Sequence, residues 1–308
     1  MVHLRFTTHI HHYNTIMKVA IYSRVLDFQF KDEVQSLFNE LTRYNIEPII
    51  YQPFFEQIIS TVHLSNNITT FNSYSDLDNS IEFVISLGGD GTMLDTVTLV
   101  RDQNIPILGI NFGRLGFLAS IGKNELENAV ASLVHRTFVV DKRSLIHLDA
   151  NISLFGDTPY ALNEFAIQKR DSSSMIKIHT YMNGEFLNTY WADGLIVSTP
   201  TGSTGYSLSC AGPIVFPDSS SFVITPVAPH NLNVRPIVVP DNNIISFEIE
   251  GRTDDFICTL DSRKEVVEKS VQLAIRKESF TVSLVRLNEN NFLQTLRNKL
   301  SWGLDRRN

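Results

Sequence analysis

In the first half of the chain, apolar residues follow two alternating patterns. Continuous apolar runs, typical of buried strands, occur at 18–23, 48–51, 82–87 and 106–111. Apolar residues spaced three and four positions apart, typical of amphipathic helices, occur at 31–44, 91–101 and 125–135. The polar stretch 65–80 is expected to be mostly loop. This alternation predicts a parallel sheet covered by helices, which is an α/β domain.

The pattern changes near residue 142, after which the chain reads as all-β. Strands are predicted at 145–152, 161–168, 175–182, 194–198, 221–225 and 244–249. The pair Asn183-Gly184 between two extended runs is a typical hairpin turn, and Pro240-Asp241 marks another turn. Near the end of the chain, apolar residues at helical spacing predict a terminal helix over 291–302 that packs back on the body.

These patterns divide the chain into four segments. They are a disordered extension at 1–16, an α/β domain at 17–141, a β-rich domain at 142–287, and a helix and tail at 288–308. The extension holds His9, His11 and His12, which could bind a metal adventitiously, but it has no signal-peptide pattern. Met17 directly precedes the first predicted strand, and we expect the natural start of translation there.

Composition excludes several classes of protein. With 43% hydrophobic residues among 308, the chain can build a sizeable core. A net charge of −7 gives no global basic excess for nucleic acid or an anionic membrane. No apolar run approaches the roughly 20 residues that cross a bilayer. Cys210 and Cys258 are too few and too far apart for a disulfide framework, so we expect thiols in a cytoplasmic protein.

The strongest local signal is the glycine-rich turn Gly88-Gly89-Asp90-Gly91-Thr92, between a predicted strand and a predicted helix. Glycines let backbone amides approach phosphate oxygens, and the helix that follows offers free N–H groups. A carboxylate would repel phosphates, so Asp90 is a candidate proton acceptor, acting directly or with bound magnesium. The alternative is a plain strand-to-helix turn with Asp90 as N-cap. No P-loop and no GxGxxG fingerprint are present.

Two further segments are suited to binding a nucleotide. Residues 193–209 contain an apolar strand followed by Gly, Ser and Thr, whose hydroxyls and amides fit a ligand with ribose and phosphate groups. Asn163 and Glu164 interrupt an apolar strand, where they either contact a ligand or lie on a solvated strand face. His230, in a proline-rich loop at 224–232, is expected to be a packed or partly exposed histidine.

Together, the motifs GGDGT at 88–92, NE at 163–164, DGLIVSTPTGSTGYSLS at 193–209 and TPVAPHNLNVRP at 225–236 resemble the NAD kinase family. The resemblance covers nearly the whole chain from Met17 onward. It implies an N-terminal Rossmann-like α/β domain, a C-terminal β-sandwich with the site between them, and a homodimer or homotetramer. It also implies a catalytic role for Asp90 as general base. The implied NAD contacts are Asp90, Gly91, Asn163, Glu164, Asp193, Thr204, Gly205, Tyr206, Ser209 and Ala228. The implied phosphate and ATP contacts are Gly88, Gly89, Gly91 and Thr92. Further candidates are Arg263, Ser207 and Leu208.

The resemblance implies transfer of the γ-phosphoryl group of ATP to the 2′-hydroxyl of the adenosine ribose of NAD, giving NADP and ADP. Mg²⁺ is expected to accompany ATP, with no fixed metal site in the protein. Three positions depart from the commoner family pattern. Asp95 stands where many members have Arg or His, Gly205 replaces a usual alanine, and Arg263 falls where some members have glutamine.

Two alternatives from other classes stay open at this point. A diacylglycerol-type lipid kinase shares the glycine turn, but the acidic charge balance and the hydroxyl-rich run at 199–209 disfavour it. A non-catalytic NAD-binding sensor would keep Asn163 and Glu164 but would not need Asp90. The sequence leaves open whether polyphosphate replaces ATP, whether NADH is accepted, and whether NADPH inhibits.

Overall fold

The computed structural model describes residues 16–25, 27–65, 68–170, 174–287 and 292–301. Apart from Ile16, the predicted N-terminal extension lies outside these residues, and so do its three histidines and the tail after Ser301. No helix among the described residues is both long and apolar enough to cross a membrane.

The first half forms a parallel sheet flanked by helices, as predicted. Its strands are β1 (Lys18–Tyr22), β2 (Glu47–Tyr51), β3 (Thr69–Phe71), β4 (Ile81–Leu87), β5 (Ile107–Asn111) and β6 (Ile121–Gly122). Its helices are α1 (Lys31–Arg43), α2 (Gln52–Ile58), α3 (Asp90–Val100) and α4 (Leu126–His135). The sheet order is β5-β4-β1-β2-β3, with all neighbours parallel.

The order of these strands creates a switch point between β1 and β4. From β1 the chain moves outward to β2 and β3 on one side, and then returns to β4 and β5 on the other. Helices α1, α2 and α4 supply Leu37, Phe54 and Val130 to one core cluster, whereas α3 supplies Met93 and Val97 to another. In such sheets ligands bind at the carboxyl ends of the strands beside the switch point.

Two elements of the first half differ from the sequence prediction. The described part of 65–80 is mostly loop, as predicted, but it also contains β3 and a 3₁₀ turn at Tyr74–Asp76, which the pattern did not predict. A three-residue edge strand with one buried aromatic, Phe71, is too short to show a periodic pattern. Helix α2 was also missed, because only Phe54 and Ile58 are buried in its seven residues.

The second half is a β-sandwich with two short helical pieces. Its strands are β7 (Phe138–Ala150), β8 (Tyr160–Ala161), β9 (Glu164–Lys169), β10 (Ile176–Met182), β11 (Glu185–Ala192), β12 (Gly194–Ser198), β13 (Ser221–Val227), β14 (Ile237–Pro240), β15 (Ile245–Glu250), β16 (Asp255–Leu260), β17 (Arg263–Glu268) and β18 (Leu273–Leu287). Its helices are α5 (Tyr206–Ser209) and α6 (Phe292–Leu300). Strands β14, β16, β17 and β18 had not been predicted.

The sandwich core lies between two sheets. One sheet has the order β14-β13-β12-β9-β16-β17, and the other runs β11-β10-β15-β18 and continues into β5 of the parallel sheet. Phe165 and Leu195 from the first sheet share a buried cluster with Ile178, Phe247 and Ile275 from the second. Strand β18 pairs with β7 and with β5, so one sheet runs through both halves of the molecule.

Local details confirm the hairpin and the terminal helix. Asn183 and Gly184 have φ of 52° and 81°, which suits the turn of the β10–β11 hairpin. Leu296 of α6 is buried, and the ring of Phe292 lies 5.4 Å from that of Phe216. The predicted strand 161–168, in contrast, is broken at Leu162 and Asn163, between β8 and β9.

Candidate functional site

The first half of the site is the glycine turn at the carboxyl end of β4. Gly88 has φ of +147°, and a Cβ there would lie 2.3 Å from Thr92 Oγ1, so the position requires glycine. Gly89 is the N-cap of α3 and Asp90 is its first residue. The structure therefore does not make Asp90 the N-cap, and its carboxylate is directed elsewhere.

The Asp90 carboxylate holds the loop that follows β5. Its Oδ2 accepts a hydrogen bond from the backbone N–H of Phe117 at 2.9 Å, and its Oδ1 accepts from Leu118 and Ala119 at 3.0 Å each. A Cβ on Gly116 would lie 1.7 Å from Asp90 Oδ1, so the contact depends on glycine there as well. Among the described residues, Oδ2 has one donor and keeps a lone pair for a further partner.

Sequence reasoning missed this loop. The amide of Asn111, at the end of β5, bonds to both Gly113 N–H and Arg114 carbonyl, at 2.9 and 2.8 Å. Phe117, which is half-buried, follows and donates its backbone N–H to Asp90. The available signal was a pair of glycines directly after a buried strand, because strands of a parallel sheet end at the same edge.

The first turn of α3 is open to an anionic ligand. The initial N–H groups of a helix have no intrahelical acceptors and carry the positive end of the dipole. Gly91 is exposed, and a Cβ there would meet nothing within 4 Å. The N–H groups of Gly88 and Thr92 already donate to the carbonyls of Ile110 at 2.9 Å and Gly89 at 3.0 Å, so a phosphate at this helix end is left with the amides of Gly89, Asp90 and Gly91 and with the Thr92 hydroxyl.

The second half of the site is the strand break at Leu162 and Asn163, which Asp261 holds in place. Asp261 Oδ2 accepts from the N–H of Leu162 at 2.9 Å. Its Oδ1 accepts from Asn163 at 2.8 Å and from Glu164 at 3.2 Å. Desolvation raises the pKa of Asp261, and the three amides oppose that rise. Asp261 lies in the β16–β17 turn, where turn propensity alone accounts for an aspartate, so no sequence pattern singled it out.

Glu164 is a buried carboxylate with an unused oxygen. It is 9% exposed, and its Oε2 has no hydrogen-bond partner among the described residues. Burial, with a smaller effect of the Asp261 charge, raises the pKa of Glu164 to about 8, while the Tyr206 N–H acts in the opposite direction. Asn163 is half-buried. The alternative of a solvated strand face therefore does not hold, and an orphan buried oxygen of this kind suits a missing ligand.

The hydroxyl-rich segment packs directly on this strand break. Thr199 donates from its N–H to the Asn163 carbonyl at 2.8 Å and from its Oγ1 to the Leu162 carbonyl at 2.6 Å. A Cβ on Gly202 would lie 2.1 Å from Asn163 O, and one on Gly205 would lie 3.0 Å from Glu164 Oε2. The glycines therefore let this segment approach the two polar residues closely.

Tyr206 and Asp193 lie at the outer side of this unit. The Tyr206 hydroxyl accepts a hydrogen bond from Gln168 Nε2 at 2.9 Å. Asp193 pairs with Lys169 at 2.6 Å. Desolvation is the largest cause of a raised Tyr206 pKa, and the charges of Glu164 and Asp193 add to it, which places all three groups in one neighbourhood.

The remaining predicted residues of the second half differ in their exposure and in their contacts. Thr204 bonds to the Thr201 carbonyl at 3.1 Å within the segment. Leu208 is half-buried and Ser209 exposed. Ala228 is exposed with φ of 44°, an unusual conformation for alanine. His230 stacks on Trp191, with ring centroids 4.3 Å apart, as expected of a packed, partly exposed histidine.

Ser207 and Arg263 serve the framework. The Ser207 hydroxyl is buried against Thr225 Oγ1 at 2.8 Å. Arg263 donates to the carbonyl and hydroxyl of Thr158 at 2.5 and 2.7 Å, and to the carbonyl of Tyr160. Its guanidinium thus fixes the chain around β8, directly before the strand break.

One apolar cluster connects the two halves of the site. Leu118, whose N–H is bound by Asp90, belongs to the same buried cluster as Leu162, whose N–H is bound by Asp261. Both carboxylates therefore anchor backbone on the surface of one shared core. Among the described residues, no three His, Cys, Asp or Glu side chains are grouped so as to hold a metal ion.

Comparisons with known proteins agree with this division. Residues 33–138 match the ATP-NAD kinase N-terminal domain, and residues 162–287 match the ATP-NAD kinase C-terminal domain. The chain is 52% identical over 276 residues to the NAD kinase of Cytophaga hutchinsonii, covering 89% of this chain and 94% of that protein. It is 45% identical over 294 residues to the NAD kinase of Flavobacterium psychrophilum, covering 95% of this chain and all of that protein.

Two solved structures share the fold. A crystal structure of yeast NADH kinase complexed with NADH has a TM-score of 0.85 at 21% identity, covering 95% of this chain and 89% of that one. An NAD kinase from Archaeoglobus fulgidus in complex with ATP has a TM-score of 0.73 at 24% identity, covering 93% of this chain and 99% of that one.

Proposed function

Because the chain belongs to the ATP-NAD kinase family, we propose that it transfers the γ-phosphoryl group of ATP to the 2′-hydroxyl of the adenosine ribose of NAD, giving NADP and ADP. One observation supports this most directly. The Asp90 carboxylate of the glycine turn holds Leu118, and Glu164, a buried carboxylate with an unused oxygen, lies two residues after Leu162; both leucines belong to one core cluster. The first suits a reacting hydroxyl, and the second suits the ribose and amide groups of a dinucleotide.

The donor phosphates bind at the first turn of α3. The free N–H groups there, with Gly91 open to the ligand, offset the negative charge that the transferred group carries. NAD binds at the strand break, where Glu164 Oε2 accepts a ribose hydroxyl and Asn163 and the segment from Thr204 to Ser209 enclose the adenosine. This geometry supports the predicted contacts of Gly205 and Tyr206.

Asp90 takes the proton of the 2′-hydroxyl as the new P–O bond forms. Oδ2 accepts one hydrogen bond from the loop, where Oδ1 accepts two, so Oδ2 keeps a lone pair for the hydroxyl proton. Three backbone donors also fix the carboxylate in one orientation, which is what a positioned general base requires. The proton passes to the Asp90 carboxylate. The bond between the γ-phosphorus and the ADP oxygen breaks as the phosphoryl group is transferred.

We include Mg²⁺ as a companion of ATP, held mainly by phosphate oxygens. It neutralises charge on the triphosphate when bound. Asp90 is the residue of the glycine turn that suits a role as an oxygen ligand, directly or through water.

The alternatives of a lipid kinase and a non-catalytic sensor have no support in the comparisons, because both halves of the chain match ATP-NAD kinase domains. We further propose a cytoplasmic homodimer or homotetramer. Large apolar side chains such as Phe186 and Trp191 are 58% and 43% exposed, which fits a subunit contact, and light scattering would measure the assembly.

The proposed activity is tested by incubating the protein with each donor and acceptor and measuring NADP with an NADP-specific dehydrogenase. ATP is compared with polyphosphate, NAD with NADH, and the full chain with protein beginning at Met17. NADP formation from ATP and NAD is expected. Absence of any NADP or NADPH with every pair, from folded protein, would contradict the proposal.

A further inference from the structure

A cavity of about 430 Å³ lies against the middle and end of helix α3, the helix that the glycine turn begins, and takes no part in the contacts of the candidate site. Its lining includes Tyr22, Arg24, Tyr51, Tyr74, Asp95 and Arg101, all from the N-terminal half. We call it the switch-point cavity. We propose that it binds the nucleoside part of the donor nucleotide and that Arg24 contacts the donor phosphates. This inference rests on the proposed function, since it names the donor's place in the same reaction.

The position of the cavity supports a nucleotide. Tyr22 ends β1 and Tyr51 ends β2, so the cavity lies at the carboxyl edge of the parallel sheet. It adjoins the switch point between β1 and β4, where ligands of such sheets bind. The Ser23 hydroxyl donates to the Leu87 carbonyl at 2.9 Å, which fixes the loop after β1 against the start of the glycine turn.

Helix α3 connects the cavity to the phosphate end of the site. Asp90 begins the helix, while Asp95, Thr98 and Leu99 farther along it line the cavity. At a rise of about 1.5 Å per residue, Asp95 lies ~7.5 Å and Leu99 ~13.5 Å along the axis from Asp90. A nucleotide whose phosphates bind at the first turn therefore extends its sugar and base along this face of α3.

The chemistry of the lining suits a base and its phosphates. The rings of Tyr22 and Tyr51 lie 4.9 Å apart, and the guanidinium of Arg101 lies 3.7 Å from the centre of the Tyr74 ring. Flat aromatic and guanidinium groups stack on a base without needing a particular hydrogen-bond pattern. Gln103 fixes the Tyr74 loop by donating to the Tyr74 carbonyl at 2.8 Å.

Arg24 and Asp95 form an ion pair at the mouth of the cavity. Arg24 Nη2 donates to Asp95 Oδ1 at 2.5 Å, and the Arg24 side chain is 54% exposed. Asp95 alone would repel a phosphate, but it orients a guanidinium that has five donors. The remaining donors can contact phosphate oxygens. Asp95 stands where many family members have Arg or His. Arg24, from the loop after β1, thus supplies a positive charge next to that position.

The dinucleotide acceptor fits this cavity less well. The NAD contacts that we propose in the second half are Asn163, Glu164 and the segment from Thr204 to Ser209, whereas the cavity is lined only by the first half. Assigning the donor to the cavity leaves the strand break in the second half to the acceptor.

The test separates donor binding from turnover. For Arg24→Ala we expect the affinity for ATP, measured by calorimetry without NAD, to fall by about 10-fold or more, because a charged hydrogen bond is lost. The KM for ATP should rise equally, while the KM for NAD stays within about 2-fold. Arg43→Ala is the matched control, since Arg43 is exposed and pairs with Glu40 on the opposite face of the sheet.

Two further variants distinguish the causes. In Arg24→Ala the Asp95 carboxylate loses its partner and could itself repel ATP, and the double variant Arg24→Ala/Asp95→Ala removes that carboxylate as well. A return of ATP affinity to the wild-type value in the double variant would overturn the role of Arg24. Tyr74→Ala should weaken ATP several-fold but leave inhibition by inorganic tripolyphosphate unchanged, because only the base stacks on Tyr74. Equal loss of both ligands would contradict the nucleoside assignment.

The failure of this inference is distinguishable from that of the proposed function. Wild-type protein that binds ATP in the Arg24-dependent way but forms no NADP would contradict the function and leave the cavity assignment in place. Wild-type protein that forms NADP while Arg24→Ala binds ATP unchanged would contradict the cavity assignment alone. A selective loss of NAD affinity in Arg24→Ala would assign the cavity to the acceptor and overturn the proposal.

Discussion

Asp90 and Asp261 perform the same structural task in the two halves of the molecule. Each carboxylate accepts hydrogen bonds from three consecutive backbone N–H groups, at 117–119 and at 162–164 respectively. Each thereby fixes an irregular piece of backbone at the site. The difference lies in what else the carboxylate can reach.

Asp90 starts a helix beside the exposed Gly91 and keeps a lone pair on Oδ2, so a substrate can approach it. Asp261 faces inward from a hairpin turn, and desolvation raises its pKa. The same arrangement, a carboxylate that accepts from three consecutive backbone N–H groups, therefore serves two purposes. In the open glycine turn it positions backbone and also takes part in the reaction, whereas in the enclosed turn it only positions Asn163 and Glu164.

The largest effect is expected for Asp90→Asn, which removes the proton acceptor. We expect kcat to fall by about 10²- to 10⁴-fold. The asparagine NH₂ would also face a backbone N–H, so the loop 113–119 should loosen and hydrogen exchange there should accelerate. Rates of NADP formation and amide exchange measure the two effects, and full turnover in this variant would rule out the role as general base.

A matched variant separates placement of the carboxylate from its chemistry. In Gly116→Ala the new Cβ would lie 1.7 Å from Asp90 Oδ1, so the carboxylate must move although the carboxyl group itself is retained. Loss of kcat in Gly116→Ala with thermal stability close to that of the wild type would show that orientation matters as well as charge.

Asp261→Asn should act on binding more than on chemistry. Replacing an acceptor by NH₂ leaves the Leu162 N–H without a partner, which costs about 1–3 kcal/mol of stability. We expect the KM for NAD to rise about 10-fold while kcat changes less. Denaturant unfolding measures the loss of stability, and steady-state kinetics measure KM and kcat. A fall in kcat at unchanged KM would instead give Asp261 a role in the chemical step, as proposed for Asp90.

The desolvated carboxyl groups of Glu164 and Asp261 predict a pH dependence of stability. The folded protein retains the Glu164 proton up to a pKa of about 8, but the unfolded chain releases it near the ordinary value of 4.5. The stabilisation is therefore complete below that ordinary value and is lost as pH rises toward 8, by up to about 1.4 kcal/mol per pH unit.

Thermal unfolding without ligand, measured from about pH 5 to pH 9, tests this sign. Glu164→Gln should flatten the decline, and the remaining slope should come from Asp261, whose pKa is also raised. NAD binding should release protons if ribose hydroxyls stabilise the anion. Calorimetry in buffers of different ionisation enthalpy measures that release, and stability that increases over this range would contradict the account.

The smallest effect on function is expected for Arg263→Gln. Arg263 donates to Thr158 and Tyr160, and its guanidinium lies 5.8 Å from the centre of the Phe155 ring, so we expect it to stabilise the chain before the strand break without contacting a ligand. We expect a fall in Tm of a few degrees and a KM for NAD within about 2-fold of the wild type. A larger rise in KM at unchanged Tm would make Arg263 a ligand contact.

The sequence alone determined the features that depend on local pattern. Buried strands, amphipathic helices, the Asn183-Gly184 hairpin and the glycine turn around Asp90 follow from periodicity and from backbone constraints that act over a few residues. The same local density of glycines and hydroxyls marked the segments at 88–92 and 193–209 as candidate sites.

Only the tertiary structure decided which distant groups complete those segments. Asp261 lies 97 to 99 residues from the amides it holds, and Arg24 lies 71 residues from Asp95. A buried amide needs an acceptor. No local pattern indicates which part of the chain supplies it, because contacts between residues so far apart in sequence depend on how the sheets pack. For that reason the sequence marked Asp90 and Glu164, while the positioning role of Asp261 and the cavity behind Arg24 emerged only from the folded chain.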